Sequence, residues 1–539
     1  MKSNASLLGM VGLVVLSACS SSPSTGPGTT LPQGGTTGAG AGAGGMSTVT
    51  AGASGTVQSG AGTAGTITST GGAGTGGASG AAGGAGAAGA APTAGAGGTN
   101  AAGGMSGGGG APVVVPFPSA ACSMKTAALL AMMSRKEKAA QMVMAGNPDG
   151  SPPSTADVTA LAPGAVFSPG GASPPGGITP DKWTAMVDGF IAAGAASAHG
   201  IPILYGVDAV HGMNAASGTV IFPHNAGLGS TNDPALVEQV ESIAAQEVAA
   251  MGISWTFSPV VSAAWDNRWG RVYESFSEDP TLTGVMGAAA TRGMQGASGL
   301  GTGKPGIVGC SKHWAGDGQA SPPSGKPPTG IVDRGNILLD EAGMTQYGIA
   351  PYLPALAAGL GSIMVSDATW MGASLSSHKH MITDLLKGMY GFKGFVATDW
   401  NAADTAGGPA AEINAGVDML MQPGPSAGSW KTLIDTISND NSISQARMDD
   451  AVTRILNVKC TAGLFGYKRD TALVASVGSA EHRAVARKAV AESMVLLQNT
   501  GAVLPLKQAT KVFVTGSGAS SIANQCGGWS LSWQGIGKV

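Results

Sequence analysis

Five apolar runs of this chain end in polar side chains, and these are the groups whose types could do chemistry. Asp208 ends Ile201–Ala209, and Ser258 lies in Trp255–Ser262. Lys312 and His313 close Ile307–Trp314, Asp367 closes Ser362–Asp367, and Asp399 closes Gly394–Trp400. A carboxylate at the end of an apolar strand can act as a nucleophile or as an acid/base. It can equally cap the helix that follows. Asp208 and Arg271 offer charge-assisted hydrogen bonds to a ligand, or a structural ion pair to each other. His313 reads as a ligand contact or as a satisfied core imidazole. Trp400, Trp529 and Trp533 offer flat apolar faces for stacking, or ordinary core packing. His378 and His380, with Ser, Lys and Met around them, read as a solvated helix start rather than a metal site.

The runs that carry these groups are apolar on both faces, as strands of a parallel sheet covered by helices are. Helix-like stretches lie between them: Pro234–Met251, Asp340–Ala358 and Met381–Tyr390. This alternation predicts an α/β fold of the (β/α)8 TIM-barrel type over residues 121–467, with the active site at the C-terminal ends of the strands. A linker is expected over 468–480. A second α/β unit follows over 481–539, with a helix whose face carries Ala486, Ala489, Val490 and Leu497, then a strand over Lys511–Ser517.

The 539 residues allow two or three domains. Net charge is 28 − 31 = −3 and only 11% of residues are charged, which argues against a nucleic-acid partner. Much of the 89-residue glycine content falls before residue 112. Residues 20–112 are nearly all Gly, Ala, Ser, Thr and Pro, a composition expected to form a flexible tether. Residues 1–19 read as a secretory signal: Lys2, a short apolar run from Leu7 to Leu16, then Leu16-Ser17-Ala18-Cys19. That ending resembles a bacterial lipoprotein cleavage box, which implies a lipid on Cys19 and a periplasmic or cell-surface location. Cys122, Cys310, Cys460 and Cys526 remain, widely spaced and with no CxxC. Their pairing is open, and a zinc site is not expected.

Several blocks, in order, resemble glycoside hydrolase family 3. They are YGVDAVHG at Tyr205–Gly212, IFPHNAGL at Ile221–Leu228, DNRWGRVYESFSED at Asp266–Asp279, KHWAGDG at Lys312–Gly318, FVATDW at Phe395–Trp400 and CGGWSLSWQG at Cys526–Gly535. Its exo-acting β-glucosidases and glucan exohydrolases look most similar. The resemblance implies that Asp399 is the nucleophile of a retaining hydrolysis, and that Asp208, Arg271, Lys312 and His313 hold the nonreducing sugar. It implies that Trp400 and Trp533 clamp the leaving-group sugar, and that the barrel is followed by the incomplete start of an α/β sandwich. The substrate would be a β-linked glucan oligosaccharide, with no metal and no cofactor. Arg268 reads as structural.

Three features depart from the family. Asp367 stands where relatives often carry Tyr, which would place a second carboxylate near Asp399 and raise one pKa. Met371 stands at a usual Asn. The loop Gly318–Asp333 is rich in Pro and Ser, and Asp333 is a weaker sugar-contact candidate. A β-N-acetylglucosaminidase of the same family would want a His where KHWAGDG has Asp317. A surface carbohydrate-binding protein without catalysis is the other alternative. In the glucosidase branch the acid/base resembles a Glu well beyond the GGW motif. No Glu follows Glu492, so the expectation is a piece of a longer protein, inactive or nearly so by itself.

Overall fold

The computed structural model describes residues 117–147, 151–303, 306–321, 332, 334–401, 407–423 and 429–536. The signal, Cys19, the 20–112 segment, Asp333 and most of its loop lie outside them.

Eight parallel strands form one sheet: β1 (Val143–Ala145), β2 (Ala165–Ser168), β3 (Leu204–Val207), β4 (Trp255–Thr256), β5 (Val308–Trp314), β6 (Ser362–Val365), β7 (Phe395–Ala397) and β8 (Leu420–Met421). Each pairs with its neighbour in the chain from β1 to β7, and β8 pairs with β1. The ring closes between β7 and the start of β8, where Ala397 bridges Met419. This is the expected (β/α)8 barrel, with strands in sequence order.

The closing seam is built around Asp418. Its N–H donates to Val396 O at 2.8 Å, and its Oδ2 accepts from Val396 N at 2.9 Å. Lys387 Nζ donates to Oδ1 at 2.7 Å, and Arg447 bonds the same oxygen. The Asp418 side chain is fully buried, so these two cations supply what water would otherwise give.

Alternation along the strands sorts the core into two layers. Met144, Phe167, Leu204, Trp255, Cys310, Met364 and Phe395 pack in one cluster. Val143, Val166, Tyr205, Val207, Ile363, Val365 and Val396 belong to the other, with helix residues such as Trp183 and Val248. Trp255 packs edge-to-face on Phe257 and Phe395, and its Nε1 donates to Ser362 Oγ at 2.9 Å. A Cβ on Gly206 would lie 2.6 Å from Phe257, so β3 needs glycine at that point.

The helices start where local chemistry says they should. Asp233 and Asp279 each accept from N–H groups of the first turn, and Pro234 and Pro280 follow as first helical residues. Pro234–Ala250 agrees with expectation to within a residue. Asp340–Ala358 does not form one helix. It breaks into Glu341–Gly343, a π-turn over Met344–Ile349, a 3-10 turn over Ala350–Tyr352, and Leu353–Ala357. Pro351 and Pro354 lack the N–H that a regular helix needs there. Met381–Tyr390 is also wound as a π-helix, over His380–Met389.

Cys122 and Cys460 form a disulfide between helices Ala120–Met132 and Gln445–Thr461, while Cys310 and Cys526 are free thiols. No helix among the described residues is long and apolar enough to cross a membrane.

Beyond the barrel, helix Ala480–Glu492 buries His482, Ala486 and Ala489. Val490 and Leu497 are exposed instead, Leu497 lying past the helix end. Lys511–Ser517 is not a strand: no ladder partner lies beside it among the described residues, and Val512, Phe513 and Val514 are exposed. Apolar β-branched character alone does not make a strand without a neighbour to bond.

Glu247, on the helix Pro234–Ala250, anchors this segment. Its Oε1 accepts from Gly478 N and lies against His482 Nδ1, each at 2.8 Å, and its Oε2 accepts from Val220 N at 2.8 Å. Removing the carboxylate leaves buried donors unpaired, at about 1–3 kcal/mol each. Glu247→Ala is therefore expected to lower stability by about 3 kcal/mol in urea unfolding, with Glu247→Gln losing less. A loss below about 0.5 kcal/mol for the alanine variant would show that this network contributes nothing.

Candidate active site

Four strands deliver their terminal polar residues to one end of the barrel. Asp208 follows β3, Lys312 and His313 end β5, Asp367 lies two residues past β6, and Asp399 two past β7. Arg271 enters from the loop after β4, just before the 3-10 turn Val272–Glu274. In a regular strand Lys312 and His313 would face opposite sides. The pairing of β5 with β6 shifts register between Ser311 and Trp314, and both side chains reach the mouth.

The contacts among these groups are specific. Lys312 Nζ donates to Asp208 Oδ1 at 3.2 Å. His313 Nε2 lies 3.4 Å from Asp399 Oδ2 and 3.1 Å from Arg271 Nη1, and its Nδ1 is 2.7 Å from Asp317 Oδ2. Arg271 is held in turn by Glu274, with Nε and Nη2 donating to its two oxygens at 2.8 Å each. The alternative of an Asp208–Arg271 ion pair is not what forms: Asp208 pairs with Lys312, and Arg271 with Glu274. Arg268 pairs outside this group, on Asp266.

Burial and charge set the carboxyls apart. Burial pushes the Asp399 carboxyl up, but His313, Arg271, the Trp400 N–H at 2.6 Å and Lys312 outweigh it and hold Asp399 below the usual carboxylate range. Burial would raise Glu274 too, yet Arg271 brings it down to about 2. Asp317 is likewise lowered, against burial, by His313, Arg271 and the Ser366 hydroxyl. Asp208 is raised, because burial exceeds the help from Lys312. Asp367 is pushed up to about 8, by burial first and by the charge of Asp399 second. The mouth therefore holds Asp399 as an anion ringed by donors, with Glu274 and Asp317 as anions paired to Arg271 and His313, beside a carboxyl that keeps its proton.

The tryptophans lie on the same end. Trp400 is half-buried, edge-on to Phe167 with ring centroids 5.9 Å apart. Trp529 lies under Lys312, whose Nζ is 5.3 Å from the ring centroid, and Trp533 is 57% exposed. A Cβ on Gly170, just past β2, would come within 2.4 Å of Trp529 and 3.0 Å of Trp533, so glycine admits the loop. Stacked imidazoles hold that loop from below. His211 and His224 have centroids 3.8 Å apart, and their Nε2 atoms lie 2.9 and 3.0 Å from Trp529 O and Gly528 O.

The structure thus brings together Asp208, Arg271, Lys312, His313 and Asp399, with Trp400 and Trp533 on the same end of the barrel. Met371 is 65% exposed. His378 packs on Trp370 and His380 pairs with Glu341. Sequence reasoning missed Glu274 and did not place Asp317 in the site. Glu274 sits three residues after Arg271, and Asp317 four after His313, so the spacing was a usable signal for both.

The model of the glycosyl hydrolase family 3 N terminal domain matches residues 135–458. A lysosomal beta glucosidase of Dictyostelium discoideum is 34% identical over 355 residues, 62% of this chain and 42% of that protein. A periplasmic beta-glucosidase of Salmonella typhimurium is 31% identical over 349 residues, 62% of this chain and 43% of its own length. The crystal structure of an exo-1,3/1,4-beta-glucanase from a Pseudoalteromonas species superposes with a TM-score of 0.72 at 35% identity, covering 77% of this chain and 53% of that one. The chain spans about half the length of the curated relatives it matches. With the family model covering most of the barrel, and the barrel mouth built from the blocks described above, the chain belongs to glycosyl hydrolase family 3.

Proposed function

We propose that this protein is a retaining exo-β-glucosidase that releases glucose from the nonreducing ends of β-linked glucan oligosaccharides, with Asp399 as its nucleophile. The observation that carries the reading is the state of Asp399: an ionised carboxylate at the mouth of the barrel, surrounded by His313, Arg271 and Lys312. In this mechanism Asp399 attacks the anomeric carbon, the glycosidic C–O bond breaks, and a glucosyl–Asp399 ester forms that water then hydrolyses. Asp208 accepts from sugar hydroxyls, and Arg271, Lys312 and His313 complete the set that orients the ring. Trp400 and Trp533 flank the leaving-group sugar. No cofactor enters. Relatives named as beta-glucosidases and an exo-glucanase support the substrate class. The Cys19 box and the relative named periplasmic support a secreted, lipid-anchored protein of the periplasm or cell surface.

Asp399→Ala is expected to lower hydrolysis of 4-nitrophenyl β-glucoside by at least about a thousandfold, with an unchanged circular dichroism spectrum. A 2-deoxy-2-fluoroglucoside carrying a dinitrophenolate leaving group should add one fluoroglucosyl mass to the Asp399 peptide. Near-normal activity of the variant, or a label on another residue, would sink the nucleophile assignment. Trp533→Ala should weaken cellobiose binding by about 1 kcal/mol, roughly fivefold in KM, and leave aryl glucosides nearly unchanged. Equal losses on both substrates would place Trp533 in packing rather than at the leaving-group site.

A further inference from the structure

An indole left in water keeps a large apolar face open to whatever can cover it. Eight of the ten tryptophans are buried or half-buried, so the two that are not stand out. Trp533 is one, and the function proposed above gives it a place at the leaving-group sugar. Trp265 is the other, 44% exposed and without a role. It lies on the long connection after β4, six residues before Arg271. That connection is tightly held. Ala264 N donates to Ser277 O at 3.1 Å, Trp265 N to Gly318 O at 3.2 Å, and Gln319 Nε2 to Ala263 O at 2.6 Å. The connections after β4 and β5 approach so closely that a Cβ on Gly318 would lie 1.9 Å from Ala263 O. The indole itself is braced by Tyr347, edge-to-face with ring centroids 4.4 Å apart, from the π-turn Met344–Ile349. Asp266 and Arg268 follow it in the chain as an ion pair with side chains 28% and 42% exposed. Gly318 comes directly after Asp317, which meets His313, so the backbone anchor of Trp265 lies at the rim of the barrel mouth.

We propose that Trp265, braced by Tyr347, is a second carbohydrate-binding site: a platform at the rim that holds a glucose ring of a β-glucan chain outside the pocket where Asp399 works. The proposal rests on β-glucan being the substrate class of this protein. A β-linked glucosyl ring presents a flat face of C–H groups, which an indole covers, and hydroxyls around its edge, which need polar partners. Asp266 and Arg268 put an acceptor and a donor beside the indole for those hydroxyls. The fixed backbone means that little freedom is lost when a sugar settles on the ring. A protein partner does not suit this surface. One indole with a half-buried phenol behind it falls far short of the roughly 800 Å² that a stable protein interface buries on each side. What such a platform adds is retention. A polymer held at the rim keeps its chain ends near the pocket at raised local concentration, whereas a short aryl glucoside gains nothing from it.

The test runs the full chain through native gels containing soluble β-1,3/1,4-glucan or, as a control, dextran. The Asp399→Ala background keeps the polymer from being consumed. The β-glucan should retard the protein and dextran should not. Adding Trp265→Ala should raise the dissociation constant for the β-glucan about fivefold, and Trp265→Phe should recover most of that loss. With Asp399 in place, Trp265→Ala should raise KM on the β-glucan by a similar factor and leave kcat/KM on 4-nitrophenyl β-glucoside within about twofold of wild type. No retardation by the β-glucan, or equal retardation with and without the indole, would overturn the platform, whatever the enzyme does to the aryl glucoside. A matched loss on the aryl glucoside would overturn it too, since Trp265 would then be packing for the connection that carries Arg271. Retardation that depends on Trp265, in a protein that hydrolyses neither substrate, would leave the platform standing and remove the catalytic reading instead.

Discussion

The seam at which the barrel closes is the constraint on which the site depends. Seven of the eight strands have only two to four residues and cannot hold a ring by length alone, and β7 and β8 meet through few backbone bonds. A buried aspartate, Asp418, stitches them by bonding both main-chain groups of Val396. Such a carboxylate is tolerable only because Lys387 and Arg447 neutralise it without water. Asp399 lies three residues beyond Val396. Any slip at the seam would move the carboxylate relative to Lys312 and His313, which a different strand holds.

Around that fixed point, the mouth arranges donors by layers. Arg271 is oriented by Glu274, and His313 by Asp317, before either meets Asp399. This support matters because a charged side chain with a rigid partner keeps its geometry when the site empties and fills. The same low-polarity surroundings raise both neighbouring carboxyls, and their partners decide the outcome. Where cations and an N–H converge, as at Asp399, the charged form wins against burial. Where they do not, as at Asp367, burial and the nearby anion win.

The segment after the barrel contributes from a distance in sequence. Glu247 ties Gly478 and His482 to the barrel, and His211 and His224 sit beneath the carbonyls of Gly528 and Trp529. Between these anchors, Val512–Val514 and Leu497 stay exposed, so this part of the chain is held at a few points rather than by a core of its own. The tryptophan loop is thus set against the barrel mouth mainly by polar contacts and by the closeness that Gly170 allows.

Much of this was readable in the sequence, because an apolar run with a polar residue at its end reports a buried strand and where it stops. The strands ending at Asp208, His313, Asp367 and Asp399 were visible for that reason, as were the helices begun by Asp233-Pro234 and Asp279-Pro280. The strands β1, β2 and β8 were not, since two to four apolar residues leave no period to detect. At Pro351 and Pro354 the missing N–H groups override the helical pattern around them. The sequence by itself determined which residue types stand at the strand ends, Asp399 among them. Only the tertiary structure decided the partners. Arg271 turned to Glu274, Lys312 to Asp208, and Cys122 to Cys460 across 338 positions. Pairing depends on which strand ends the barrel sets side by side and on what burial leaves unsatisfied, and neither is local in the chain.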